Sequence, residues 1–149
     1  MDVGQLVDFL IRVAVAVAVG GVVGIERELH GRWAGLRTHM LVSMGAAIFT
    51  IAGLGVAGDS SAEVSRVVQG IAAGIGFLGA GTILKLSDHV EVKGLTTAAS
   101  IWLAAALGTS AGLKMYELAV VGAVVAIVVL AVLRPLDKWF SRDDDDRSD

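Results

Sequence analysis

The sequence predicts an all-α fold, a polytopic bundle of about five helices that crosses a lipid bilayer. Three observations carry this expectation. First, 55% of the 149 residues are hydrophobic and the mean hydropathy is +0.74, more apolar surface than one small water-soluble core can hide. Second, the apolar residues fall into five runs separated by charged loops, and a span needs roughly 17–25 mostly apolar residues. Third, there are 19 glycines but only one proline, Pro135. Glycine is frequent in membrane helices, and no missing amide interrupts the runs.

Backbone in hydrocarbon must satisfy its own hydrogen bonds, so each run is expected to be a helix. The first extends from about Leu6 to Val23; it has no basic leader and reads as a span, not a cleavable signal. Its Val-Ala alternation from Val13 to Val19 is apolar at every position, so it carries no barrel signal. The second run covers Leu36 to Ala57 and the third Val64 to Leu86. The fourth, Leu95 to Leu107, is short and rich in small residues. The fifth covers Met115 to Leu133. Residues 1–140 thus form one transmembrane domain. Residues 141–149 form an acidic tail, with Asp143 to Asp146 and Asp149, that is expected to be disordered.

Lysine and arginine set the orientation. Arg27, Arg32 and Arg37 occupy the first loop, Lys85 and Lys93 the third, and Arg134, Lys138, Arg142 and Arg147 the tail. The second loop has Asp59, Glu63 and Arg66, and the fourth only Lys114. The N-terminus is therefore expected outside and the C-terminus in the cytoplasm.

An internal repeat supports the count. Gly20-Gly21-Val22-Val23-Gly24, a charged loop, then Gly35-Leu36-Arg37-Thr38 is matched by Gly76-Phe77-Leu78-Gly79-Ala80-Gly81, a charged loop, then Gly94-Leu95-Thr96-Thr97. Helices 1–2 and 3–4 would form parallel hairpins, with the fifth left over. Turn and cap chemistry accounts for Gly-Leu-x-Thr by itself, with Thr38 or Thr97 accepting from free amides. The functional alternative is a pair of helix N-termini that hold an anion or ligand at the inner face, strengthened by Arg37.

Gly70, Gly74 and Gly81 share one face of the third helix, with Gly76 and Gly79 on roughly the other. Two smooth faces predict close packing on two neighbours and a central third helix. Gly74-Ile75-Gly76-Phe77-Leu78-Gly79 matches a dinucleotide fingerprint only in letters, since no strand precedes it. Asp8 and Arg12 are four apart and can pair inside the first span, in a structural role or, as intramembrane charges often are, a functional one. Glu26-Arg27-Glu28 closes the first helix. It reads as a solvated, topology-setting end or, more sharply, as a cation-handling cluster with Arg37, His39 and Lys85.

Several chemistries are excluded. There are no cysteines, hence no disulfide or thiolate metal site. His30, His39 and His89 lack metal-ligand spacing. No nucleophile, base and orienter converge, so no enzyme is expected, no cofactor, and no nucleic-acid partner.

Gly-Ile-Glu-Arg-Glu (24–28), Gly-Leu-Arg-Thr-His (35–39), Gly-Ile-Gly-Phe-Leu-Gly-Ala-Gly-Thr-Ile (74–83) and Val-Lys-Gly-Leu-Thr-Thr-Ala-Ala-Ser-Ile-Trp (92–102) resemble the MgtC/SapB family of bacterial inner-membrane proteins. Arg12 also matches an arginine usual in that family's first helix. The resemblance reaches to about Leu133. It implies a role in magnesium homeostasis, in some members exercised through membrane partners including ATP synthase. Virulence-type members carry a soluble C-terminal ACT-like domain, an Asn where Thr96 stands and a Cys where Leu103 stands. A short form without that domain is expected here.

Two functions compete. The first is magnesium-linked regulation by binding another inner-membrane protein or a second copy, since no span carries a mid-membrane acid to build the oxygen cage that magnesium prefers. The second is a magnesium or small-ion channel or transporter, with Mg2+ held near Glu26, Glu28 and the two helix starts. A lipid or anion site built from Arg27, Arg37 and Lys85 is a weaker third.

Overall fold

The computed structural model describes residues 2–57, 60–85 and 92–133. The expectations placed on Leu86, His89, the acidic tail and the Lys85 side chain lie outside the described residues. Five α-helices follow one another: α1 (Val3–Leu29), α2 (Leu36–Ala57), α3 (Ser61–Ala80), α4 (Leu95–Gly112) and α5 (Tyr116–Val132). Between α3 and α4, β1 (Leu84–Lys85) pairs antiparallel with β2 (Val92–Lys93).

Local chemistry sets the helix ends. Asp2 and Gln5 form a reciprocal capping box at the start of α1, satisfying two orphan amides. The same helix ends in a Schellman motif, in which Gly31 takes a left-handed φ of 61°. There the amide of Arg32 donates to the Arg27 carbonyl and that of Gly31 to the Glu28 carbonyl, which a Cβ-free residue permits at little cost. Ser60 caps α3 through the Glu63 amide.

Three boundaries differ from expectation. The first helix runs on past Val23 to Leu29. The third run stops at Ala80 instead of Leu86. Thr82 folds its hydroxyl back onto the Gly79 carbonyl at 2.7 Å, and the next residues join the ribbon, a small β element within an otherwise helical chain. The fourth helix is not short: it continues to Gly112 through Gly108, Thr109 and Ser110. These small and polar residues resemble loop composition but pack in the bundle.

Helices α1, α2 and α4 form the hub, α5 lies against α1 and α4, and α3 lies against α2 and α4. Helices α1 and α4 run antiparallel: Arg12 near the start of α1 meets Gly112 at the end of α4, and Arg27 near the end of α1 meets Thr97 at the start of α4. The expectation of a central third helix is therefore corrected, because α4 holds that place. The reason is visible in the glycines. A Cβ on Gly20 would lie 2.6 Å from the His39 carbonyl oxygen and 2.7 Å from the Ser43 Cβ, and one on Gly24 would lie 2.8 Å from the Leu36 Cα. One on Gly108 would overlap the Ser43 carbonyl, and one on Gly112 would lie 2.8 Å from the Thr50 Cβ. Both pairs are four residues apart, the spacing that brings helix backbones together. On α3, only Gly79 packs within this chain, against Ala98; added Cβ atoms at Gly70, Gly74 and Gly76 meet nothing within 4 Å. Gly81 lies just past the helix, as its cap.

The interior is small and the exterior large. Ala16, Ala47 and Ala111 meet at the hub, and Val19, Val23, Leu107, Ala119, Ala123 and Ala126 join α5 to it. Phe49, Phe77 and the outward valines of α5 are exposed. This reverses the arrangement of a water-soluble core. Helices α1 and α2 are long and apolar enough to cross a membrane, and α5 is shorter but apolar.

Candidate functional site

The end of the bundle that carries Arg27 and Arg32, here the basic end, gathers most of the predicted site residues. The Schellman turn folds the chain sharply, so α1 ends beside the starts of α2 and α4. Glu26 and Arg27 are both buried, at 8% and 3% exposure. His30 Nδ1 lies 2.9 Å from Glu26 Oε1 and 2.7 Å from the Glu26 carbonyl oxygen. Both are acceptors, so Nδ1 carries a proton that the two oxygens share. Glu26 Oε2 is buried and accepts no hydrogen bond; the nearest cation, Arg27 Nη1, stands 3.6 Å away. Arg27 Nη2 donates to Thr97 Oγ1 at 3.4 Å, bridging α1 to α4.

A second polar group continues from there into the hub. His39 is fully buried, with Nδ1 2.9 Å from the Gly35 carbonyl oxygen and Nε2 3.0 Å from Ser100 Oγ. The carbonyl can only accept, so Nδ1 is protonated. Ser100 Oγ also lies 2.9 Å from the Thr97 carbonyl, and its single proton serves one acceptor at a time. Further along, Ser43 donates to the Ala16 carbonyl at 2.7 Å. Thr97, Ser100, His39 and Ser43 thus bond three helices together where glycines bring the backbones close.

The remaining predicted residues divide by location. Glu28 caps α2, its Oε2 accepting from the Leu36 amide at 3.0 Å. The two Gly-Leu-x-Thr starts are therefore handled differently: α2 is capped by a carboxylate from α1, and α4 follows Gly94, at φ 97°, with no side-chain cap. Thr97 is buried against Arg27 and caps nothing. Thr96 faces a cavity described below, and Arg37 is exposed while Thr38 is half-buried. Asp8 and Arg12 pair at the opposite end, as expected. Arg12 Nη1 also donates to the Gly112 carbonyl at 3.1 Å, and Lys114 joins Asp8 at 2.8 Å. A cation at a helix C-terminus is electrostatically favoured, so this cluster clamps α1 to α4. Among the described residues no three His, Asp or Glu side chains gather as a metal site.

Between α2 and α3 the bundle opens into an apolar groove of about 510 Å³, walled by Gly45, Phe49, Gly70, Ile71 and Gly74. It is closed at one end, where Val67 meets Gly53, and at the other, where Gly79 meets Ala98. Sequence reasoning missed Ser43 and Ser100, the contact of His30 with Glu26, and the two closing glycine pairs. The four-residue spacings Gly20/Gly24 and Gly108/Gly112 were the available signal for the last.

The profile of the MgtC family matches residues 13–139. Protein SrpB of Synechococcus elongatus is 41% identical over 145 residues, which cover 91% of this chain and 80% of that protein. The Escherichia coli K12 protein named "Putative magnesium transporter YhiD" is 42% identical over 87% of this chain and 62% of its own length. Protein MgtC of Brucella abortus is 47% identical over 81% of this chain and 49% of its own. The chain therefore spans between about half and four-fifths of the length of these relatives. No solved structure matches. The family profile covers most of the chain, including the capped α1 end, the two Gly-Leu-x-Thr starts and α5, and on that ground the chain belongs to the MgtC family.

Proposed function

We propose that this chain is a five-span bacterial inner-membrane module, N-terminus outside and C-terminus in the cytoplasm, that serves magnesium homeostasis by docking a transmembrane helix of a partner membrane protein. The observation that carries this reading is the unfilled groove between α2 and α3. Its α3 wall is Gly70-Ile71-Ala72-Ala73-Gly74, a small-xxx-small pattern, and none of the described residues approaches those glycines. In lipid, helices associate through close van der Waals contact rather than hydrophobic drive. A groove that lets a backbone approach is therefore what a partner helix requires.

Leucines at positions 70 and 74 would fill the groove without touching the hub. The double variant Gly70→Leu/Gly74→Leu is expected to melt like the parent yet fail to restore growth of a deletion strain at low magnesium. A photocrosslinker at Gly70 is expected to trap a membrane protein, and one at the outward Val121 of α5 to trap none. Full growth with the double variant would overturn the reading, and a crosslink to a second copy would reassign the groove to self-association.

The rival reading, a magnesium or small-ion channel, draws on Glu26, a buried carboxylate at the basic end. One carboxylate falls short of the octahedral oxygen set that magnesium demands, and the hub is closed by glycine and alanine contact. Magnesium flux in reconstituted liposomes separates the two readings: robust flux abolished by Glu26→Ala would favour the channel.

A further inference from the structure

A cavity of about 230 Å³ opens at the basic end between α1, the start of α4 and the end of α5. Glu26, Arg27, His30, Arg32 and Thr96 make up its polar lining, and Val129, Leu130 and Leu133 its apolar lining. We propose that this cavity binds the phosphoethanolamine group of an aminophospholipid, with the ammonium on Glu26 and the phosphate on Arg32 and the first turn of α4.

Glu26 holds the ammonium. Its Oε1 is used by His30. Its Oε2 is buried and accepts no hydrogen bond, although Arg27 Nη1 is ion-paired with it at 3.6 Å. A buried carboxylate oxygen left in that state is costly. A primary ammonium, compact and with three donors, supplies what is missing.

The phosphate half rests on α4 and Arg32. Helix α4 has 18 residues and follows Gly94, which offers no side chain to cap its first amides. Such an end attracts phosphate oxygens. Arg32 is exposed on the rim, where it also lines an adjoining cavity of about 340 Å³ with Lys93 and Gly94. Charges of both signs therefore line one cavity, the complement of a zwitterion rather than of a simple anion or cation.

Size and surroundings select the source. At roughly 30 Å³ per water, 230 Å³ holds a headgroup but not an acyl chain. Val129 and Leu133 are each about half exposed on the outward side of α5, where acyl chains would lie. This inference is independent of the α2–α3 groove and stands or falls without it.

Native mass spectrometry of the full chain, released from mixed micelles, tests it. The probes are phosphatidylethanolamine, phosphatidylcholine and phosphatidylglycerol with the same acyl chains. Phosphatidylethanolamine is expected to be retained about tenfold over phosphatidylcholine, whose quaternary ammonium cannot donate to Glu26; one charge-assisted hydrogen bond supplies that factor. Glu26→Gln is expected to remove the preference, and Arg32→Gln to lower retention of all three lipids. Displacement of the lipid by free O-phosphoethanolamine at equal strength would keep the site but assign it to a soluble aminophosphate. Equal retention of the three lipids by the parent chain, or an undiminished preference in a folded Glu26→Gln chain, would overturn the proposal. Should Glu26→Gln not fold, the parent comparison and Arg32→Gln decide.

Discussion

Alanine at position 20 is expected to loosen the hub although alanine is the better helix former. The added Cβ would lie 2.6 Å from the His39 carbonyl oxygen and 2.7 Å from the Ser43 Cβ. Neither neighbour is the free end of a flexible side chain, so α1 and α2 must separate. Overpacking of this kind costs about 1–3 kcal/mol. Separation also stretches the 2.7 Å bond from Ser43 to the Ala16 carbonyl, and interhelical hydrogen bonds in membranes average about 0.6 kcal/mol. Alanine's helix preference over glycine returns about 1 kcal/mol. The net loss is roughly 0.6–2.6 kcal/mol. The matched control is Gly70→Ala, where the new Cβ meets nothing within 4 Å and only the helix preference remains. Equilibrium unfolding in mixed micelles, followed by tryptophan fluorescence, measures both. The reasoning is refuted if Gly20→Ala proves as stable as Gly70→Ala.

Other expectations follow from the same contacts. Arg12→Met removes the donor to the Gly112 carbonyl and the partner of Asp8, and should destabilise by about 1.5–3 kcal/mol. Lys114→Met, at a half-exposed position, should change stability by at most about 1 kcal/mol, and the same unfolding assay ranks the two. Glu28→Ala strips α2 of its cap and should cost about 1 kcal/mol, with faster amide exchange confined to the first turn of α2. Ser100→Ala leaves His39 Nε2 without its partner; the imidazole nitrogen resonances should shift while those of His30 stay in place.

The helices were legible because each apolar run bounded by charged loops is as long as a helix, and the five runs became five helices. Their ends were not: Asp2, Ser60 and Gly31 set them by local devices, outside the apolar runs that begin at Leu6 and Val64 and stop at Val23. Nothing local announces that α4 continues through Gly108, Thr109 and Ser110, because this stretch is anchored by Gly108 and Gly112 packing on α2. The same limit misled the reading of the glycines. Gly70, Gly74 and Gly79 stand out by density, yet closure of the hub depends on Gly20, Gly24, Gly108 and Gly112, two pairs on separate helices that a linear reading does not bring together. The basic-end cluster was partly legible. Glu26, Arg27, His39 and Thr97 were singled out by charge and motif, but the serine that joins His39 to Thr97 carries no signal of its own.

The distribution of small residues separates two kinds of sensitivity. In the hub, glycine and alanine admit backbones close enough for Ser43, Ser100 and Thr97 to hydrogen-bond between helices. A larger side chain there removes contact and hydrogen bond together, and the loss appears in folding. On α3 the same residue type faces a groove that this chain does not fill. Substitution there leaves every internal contact in place, so a functional defect at Gly70 or Gly74 would arise from something outside the chain. The two classes predict opposite correlations between stability and growth at low magnesium. Variants at positions 20, 24, 108 and 112 should lose both together, whereas variants at 70 and 74 should lose growth alone. A scan in which growth followed stability equally at all six positions would remove the argument for a docking groove, even with the fold intact.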